Sequence, residues 1–186
     1  MNDTLTIDYA QIFQHAPVGL CISERRVIRA ANRSLAAMFG YSPEQLADQS
    51  FLILYPTPDE FERTGARIIP IMTEHGCYSD ERIMKRASGE LFWCHVSGRG
   101  LVDDDAHAAG IWTFDDLSEK RKVTAKLTPR EREIAALLVE GKTSKLIARQ
   151  IGMSPRTVEM HRAKLMKKFS AATSSELVHR LLGVSH

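Results

Sequence analysis

An α+β domain with an antiparallel five-stranded sheet and flanking short helices, followed by an all-α domain of four helices, is the architecture this 186-residue sequence predicts. Three observations predict it. Charge divides the chain: residues 1–118 hold 10 Lys and Arg against 17 Asp and Glu, a net of −7, whereas residues 119–186 hold 15 against 6, a net of +9. Apolar residues of the first part alternate in a strand-like period of two, while those of the second recur at helical spacings. Serine and threonine caps and glycine stops then punctuate the second part at short intervals. The boundaries that follow are a domain over 1–118, a charged connector over 119–126 and a domain over 127–186.

In chain order, VGLCIS and RRVIRAA are short strand-like runs separated by Ser23-Glu24-Arg25. NRSLAAMFG reads as a helix stopped by Gly40, and SPEQLADQ as another with Ser42 as cap and Pro43 at its first position. FERTGARIIPIMTEHG is helical in part, with Gly65 and Pro70 predicted to break or kink it. SDERIMKRASG, ELFWCHVSGRGLV and AAGIWTFDD are three late strands forming an antiparallel meander. In the middle one, Phe92, Cys94 and Val96 alternate with Trp93, His95 and Ser97. The acidic run Asp103-Asp104-Asp105 between the last two strands reads as a solvated hairpin loop rather than a metal or phospho-acceptor site.

The basic part opens on Thr128-Pro129-Arg130-Glu131, a capping box with proline at the first helical position. Ile134, Leu137 and Leu138 follow at helical spacing and Gly141 supplies the stop. Thr143 or Ser144 caps a second helix carrying Leu146, Ile147 and Ile151, closed by Gly152. Ser154-Pro155 starts a third, SPRTVEMHRAKLMKK, and a fourth runs from about Ser174 to Leu182.

Composition excludes several classes. No apolar run approaches the ~18–20 residues of a membrane span, and MNDTLTIDYAQIF shows no signal-peptide pattern, so a cytoplasmic location with no membrane partner is expected. Three cysteines without a CxxC pair predict buried free thiols. No nucleophile–base pair, metal cluster or phosphate loop is legible, so an enzyme is the least expected class.

Residues 127–182, through LTPREREI, Gly141, Ile147-Ala148 and SPRTVEMHRAKLMKKF, resemble the LuxR/FixJ-type helix-turn-helix. Residues 8–120, through IFQHAPVGLCI, AANRSLAAMFGYSPEQLADQS, SGELFWCHVSG and FDDLSEK, look like a PAS domain. The departure from that pattern is FLILYPTPDEFERTGARIIPIMTEHG, where cofactor-binding PAS subfamilies place their ligands. The first resemblance implies that the third helix enters the DNA major groove, the second braces it and the fourth pairs two subunits.

On the third helix Val158, His161, Leu165 and Phe169 fall on one side, which must pack. His161 reads as a structural histidine rather than a ligand or pH switch. The other side carries Glu159, Met160 and Ala163, which the resemblance puts at base-facing positions. A carboxylate can accept from cytosine N4, and small or apolar groups can touch a thymine methyl. Pairing of Glu159 with Arg156 or Arg162 is the other reading of that acid. Arg156, Thr157, Arg162, Lys164 and Lys167 are candidate phosphate contacts, joined by Thr143, Ser144 and Lys145 at the start of the second helix.

In the first domain, residues 57–74 contain no histidine and His75 stands beside Gly76, which disfavours haem; no Asn-Cys-Arg motif is present for a covalent flavin. Cys21, Phe92, Cys94, Val96, Ile111 and Phe114 are strand residues that can line a pocket for a small apolar or amphipathic ligand. The same residues can equally fill a core. Trp93 or Trp112, if exposed on the sheet, would suit a dimer contact.

The whole reads as a transcription regulator that binds double-stranded DNA as a homodimer, its dimer geometry controlled by a signal at the first domain through residues 117–127, with RNA polymerase as a further partner. The competing reading is a ligand-free PAS interaction module recruiting a kinase or polymerase to DNA.

Overall fold

The computed structural model describes residues 8–102, 105, 108–120 and 127–182. The start of the chain, Asp103 and Asp104 of the acidic run, and connector residues 121–126 lie outside the described residues.

The N-terminal domain runs α1 (Tyr9–His15), β1 (Gly19–Glu24), β2 (Val27–Ala31), α2 (Arg33–Phe39), α3 (Pro43–Leu46), a 3₁₀ turn (Phe51–Leu54), α4 (Pro58–His75), β3 (Cys77–Lys85), β4 (Leu91–Gly100) and β5 (Gly110–Asp116). The strands form one antiparallel sheet in the order β2-β1-β5-β4-β3. Asn32 knots this topology together. Its Oδ1 accepts from Leu20 N and Leu35 N, both at 2.9 Å, and its Nδ2 donates to Val18 O, so one buried amide caps α2 and pins β1.

Strand parity sorts the side chains. The register pairs Val96 with Phe114, Gly98 with Trp112 and Asp80 with Val96, so these share the inner face with Cys21, Arg82 and Met84. That face packs on α2, α3 and α4 around Phe39, whose ring meets Phe92 and Phe114 edge-on. Ile83, Trp93 and Ile111 have the opposite parity and point out of the other face. Gly98 matters here: a Cβ would overlap the Trp112 indole lying across it.

α4 corrects the sequence expectation. It runs 18 residues without interruption through Gly65 and Pro70. Proline costs the helix one backbone bond, but Phe61, Ile68 and Met72, buried on either side of it, hold both halves on the domain. Glycine at 65 is there for close approach: an added Cβ would lie 2.6 Å from the Arg26 guanidinium carbon.

The C-terminal domain consists of α5 (Pro129–Val139), α6 (Ser144–Ile151), α7 (Pro155–Lys168) and α8 (Ser174–Leu181). The capping box at Thr128 and Glu131 forms as the sequence indicates. Glu131 does more than cap, since its Oε2 also receives Lys168 Nζ at 2.6 Å and ties the end of α7 to the start of α5. Gly152, at φ 66, ends α6 and turns the chain into α7. Ile134, Leu137, Ile147, Val158, Leu165 and Leu177 make one core.

Candidate nucleic-acid interface and ligand cavity

α7 divides into a packed seam and an exposed side. Val158 and Leu165 are fully buried, Phe169 is partly so, and His161 sits half-buried on the same seam with its Nδ1 enclosed and without a partner. Ser154 caps the helix by accepting from Thr157 N at 3.1 Å, and the two hydroxyls lie 2.8 Å apart. Arg156, Glu159, Met160, Ala163, Lys164 and Lys167 are all exposed along one side.

The phosphate candidates divide. Thr143 and Lys145 are exposed, but Ser144 is buried and its hydroxyl accepts from Arg162 Nη1 at 3.1 Å. Arg162 thereby braces α7 against α6. Glu159 lies 3.7 Å from Arg162 with more than half of its side chain in solvent, a loose pair that leaves the carboxylate available. Leu146, an apolar position of the second helix, is 54% exposed and takes no part in the core. The Glu131 carboxyl is subject to burial, which raises its pKa. Lys168 and the Thr128 hydrogen bonds more than offset that, and the net direction is down.

The N-terminal domain encloses a cavity of about 40 Å³ between the inner sheet face and α4. Of the sequence candidates, Val96 and Phe114 line it. Cys21, Phe92 and Cys94 share the inner face but belong to the packed cluster beside it, and burial pushes the Cys21 and Cys94 thiols up, away from thiolate chemistry. Ile111 is excluded by parity: three residues from Phe114 on a regular strand, it faces outward and pairs with Ile22. The remaining apolar walls come from Phe51, Phe61, Ile68, Met84 and Trp112.

Sequence reasoning missed the polar lining: Ser23, Arg26, Tyr55 and Arg82. The signal was present for Arg82, because in DERIM it shares parity with Met84 on a strand whose inner face must be buried. Arg82 donates through Nε (2.7 Å) and Nη2 to Asp80 Oδ1 and through Nη1 to Tyr55 Oη at 2.6 Å. Burial alone would lower its pKa; Asp80 beside it, with the Tyr55 and Tyr78 hydroxyls, reverses the direction and raises it. Among the described residues no group of His, Cys, Asp or Glu is arranged to hold a metal ion, and no helix is long and apolar enough to cross a membrane.

The other side of the same strands meets the helical domain. Trp93, neither exposed nor simply core of its own domain, packs with Ile83 into the cluster built on Ile134 and Leu137 of α5. Arg132 of α5 donates from Nε and Nη2 to the two Glu60 oxygens of α4 at 3.0 and 2.5 Å, and both residues are buried. Arg63 reaches Glu133 at 3.1 Å. Leu117, at the exit of β5, packs on the same cluster and donates from its N to Trp93 O.

Two family signatures match: the PAS domain over residues 17–119, and the bacterial regulatory proteins of the luxR family over residues 125–181. The transcriptional regulatory protein FixJ of Azorhizobium caulinodans is 47% identical over 68 residues, 37% of this chain and 32% of its own. The transcriptional regulatory protein MctR of Rhizobium johnstonii is 43% identical over 130 residues, 65% of this chain and 60% of its own. Several curated relatives are longer, and this chain spans only a quarter to a third of their length. Among solved structures, the PAS domain of a LuxR-family transcriptional regulator from Burkholderia thailandensis, in complex with ethanol, is 56% identical, covers 60% of this chain and 99% of its own, and superposes with a TM-score of 0.59.

Proposed function

Because the chain belongs to the PAS-domain family and carries a luxR-family regulatory module at residues 125–181, we propose that it is a sequence-specific DNA-binding transcription regulator whose N-terminal domain senses a small molecule. The observation that carries the reading is the exposed cationic side of α7, on a helix held from behind by Val158, Leu165 and the Arg162–Ser144 bond. Arg156, Lys164 and Lys167 neutralise phosphates, with Thr143, Lys145 and Thr157 beside them. Glu159, Met160 and Ala163 face base edges. A homodimer would place two such helices in successive major grooves, on half-sites about one helical turn apart. Contact with RNA polymerase would follow from that placement.

Sensing is coupled to binding across one strand. Arg82 faces the cavity while its neighbour Ile83 packs on α5. A ligand that repacks the inner face favours one arrangement of the two domains over the other, a population shift between docked and released forms. A two-carbon molecule bound to the Burkholderia relative supports a small-molecule reading over a ligand-free interaction module.

The test is selection of DNA from a random duplex library by the full chain, followed by anisotropy titration on the enriched site. A two-fold symmetric consensus is expected. Recovery of unenriched sequences would refute sequence-specific reading, and a DNA affinity indifferent to every cavity ligand would refute the coupling.

A further inference from the structure

Among the described residues the cavity of the N-terminal domain offers mainly side-chain donors, with the Ser23 and Tyr55 hydroxyls as its only side-chain oxygens. Ser23 Oγ already accepts from Trp112 Nε1 at 2.9 Å, so its own proton is available. Tyr55 Oη accepts from Arg82, which leaves its proton available too. Arg82 uses three of the five N–H groups of a guanidinium on Asp80 and Tyr55. Among the described residues no Asp, Glu, Asn, Gln or His side chain lines the cavity.

Charge points the same way. Asp80 is nearly out of solvent and serves two guanidiniums at once, Arg82 through Oδ1 and Arg67 at 2.5 Å through Oδ2, where it also receives the Tyr78 hydroxyl at 2.8 Å. One carboxylate between two arginines leaves this group one positive charge in excess. Arg67 Nε is moreover enclosed without an acceptor. Glu60, close by, is held by Arg132 and does not supply the balance. An uncompensated buried charge is costly, and a counter-ion entering beside it is correspondingly favoured.

Arg26 closes the edge of the cavity. It stands at φ 66, a left-handed conformation that arginine rarely adopts, in the two-residue turn between β1 and β2. From there its guanidinium lies 3.4 Å from the Phe61 ring centroid, donates to Phe61 O at 2.6 Å and to Glu62 Oε2 at 3.2 Å, and rests on the Cβ-less surface of Gly65. Its partner Glu62 is 70% exposed, so that pair is a weak one and the guanidinium's inner edge stays turned to the cavity.

We propose that the cavity's ligand is a short-chain monocarboxylate, with its carboxylate against Arg82 and Arg26 and its alkyl end toward Trp112 and Phe114. This rests on the reading of the cavity as the sensory site and names the class of molecule sensed. A carboxylate accepts several hydrogen bonds and cancels the excess charge, whereas an alcohol satisfies a donor and leaves the charge. A cavity of about 40 Å³ compares with roughly 10–15 Å³ for one water by this kind of measure, about three to four water-sized groups, which sets the size near that of acetate and propionate.

The experiment is calorimetric titration of the full chain with sodium propionate and, separately, with 1-propanol, at fixed sodium concentration and ionic strength. Propionate is expected to bind at least about tenfold more tightly, the scale of one charge-assisted bond over a neutral one. Arg26→Gln should erase most of that preference, with Arg26→Lys between the two. Equal or tighter binding of 1-propanol overturns the carboxylate assignment and leaves small-molecule sensing standing. No binding of either compound overturns the assignment together with the sensory reading of the cavity. Should Arg26→Gln not fold, an unchanged preference in Arg26→Lys or Arg82→Lys overturns the roles given to those residues.

Discussion

Along α7, Arg156, Lys164 and Lys167 stand in solvent, while in the N-terminal domain Arg67 and Arg82 are drawn inside around a single aspartate. The acidic domain, which repels polyanions as a whole, holds these two cations where only something that enters can meet them. α7 displays its cations and buries an apolar seam behind them. An exposed cation releases counterions when it meets phosphate and is readable by any nucleic acid. A buried one selects for a ligand small enough to reach it and charged enough to offset its desolvation. Net charge therefore says little about either role; the position of each cation relative to solvent decides it.

The sharpest challenge to this contrast comes at the junction. Arg132→Ala leaves the Glu60 charge buried without its counter-ion, the Thr57 hydroxyl alone remaining on it, a loss of about 3–5 kcal/mol when the structure cannot relax. Release of the helical domain is the expected relief, visible as one denaturation transition resolving into two and as faster amide exchange in β3 and α5. A single unchanged transition would show that the buried pair does not hold the domains. Next in size, Gly98→Ala forces the Trp112 ring off the sheet, at about 1–3 kcal/mol for overpacking. It should lower the denaturation midpoint and weaken cavity ligands while leaving DNA binding by the helical domain intact.

On the outer cations the expected effect is one of salt dependence. Replacing Arg156, Lys164 and Lys167 by Ala should weaken binding to all duplexes alike and reduce the slope of log affinity against log salt by about 0.9 for every phosphate no longer neutralised. A change confined to one sequence would make them readers instead. Glu159→Ala should do the reverse, costing discrimination at one base pair by roughly tenfold with little change on random DNA. Equal losses on both would return Glu159 to its alternative role as a partner of Arg162.

The smallest effect is expected in acid. The Glu131 carboxyl is held below its ordinary pKa of 4.5, so its contribution is complete above that value and is lost as pH falls through the lower, folded-state pKa. Glu131→Gln should flatten that part of the acid limb of thermal stability and modestly lower stability at neutral pH, where the carboxylate's contribution is complete.

Much of this was legible in the chain. Thr128, Ser154, Gly141 and Gly152 mark helix ends by local chemistry, and local chemistry is what a sequence displays. The seam of Val158 and Leu165 and the alternation of Phe92, Cys94 and Val96 followed from period alone. The cavity was read less well because its walls come from several separate elements. Composition groups Ile111 with Phe114 although parity separates them, and the charge of Arg82 argues for solvent until a partner such as Asp80 is seen. Nothing local announces that Glu60 and Arg132, 72 residues apart, share two hydrogen bonds.

The two tryptophans of the chain lie on opposite faces of one sheet. Trp112 forms a wall of the cavity with its indole N–H on Ser23, and Trp93 is pressed against α5. The protein thus carries two intrinsic fluorophores with separate duties. With Trp93→Phe, emission follows the filling of the cavity; with Trp112→Phe, it follows the departure of the helical domain. Recorded in one stopped-flow mixing experiment each, the two signals would give the order in which a ligand arrives and the domains part.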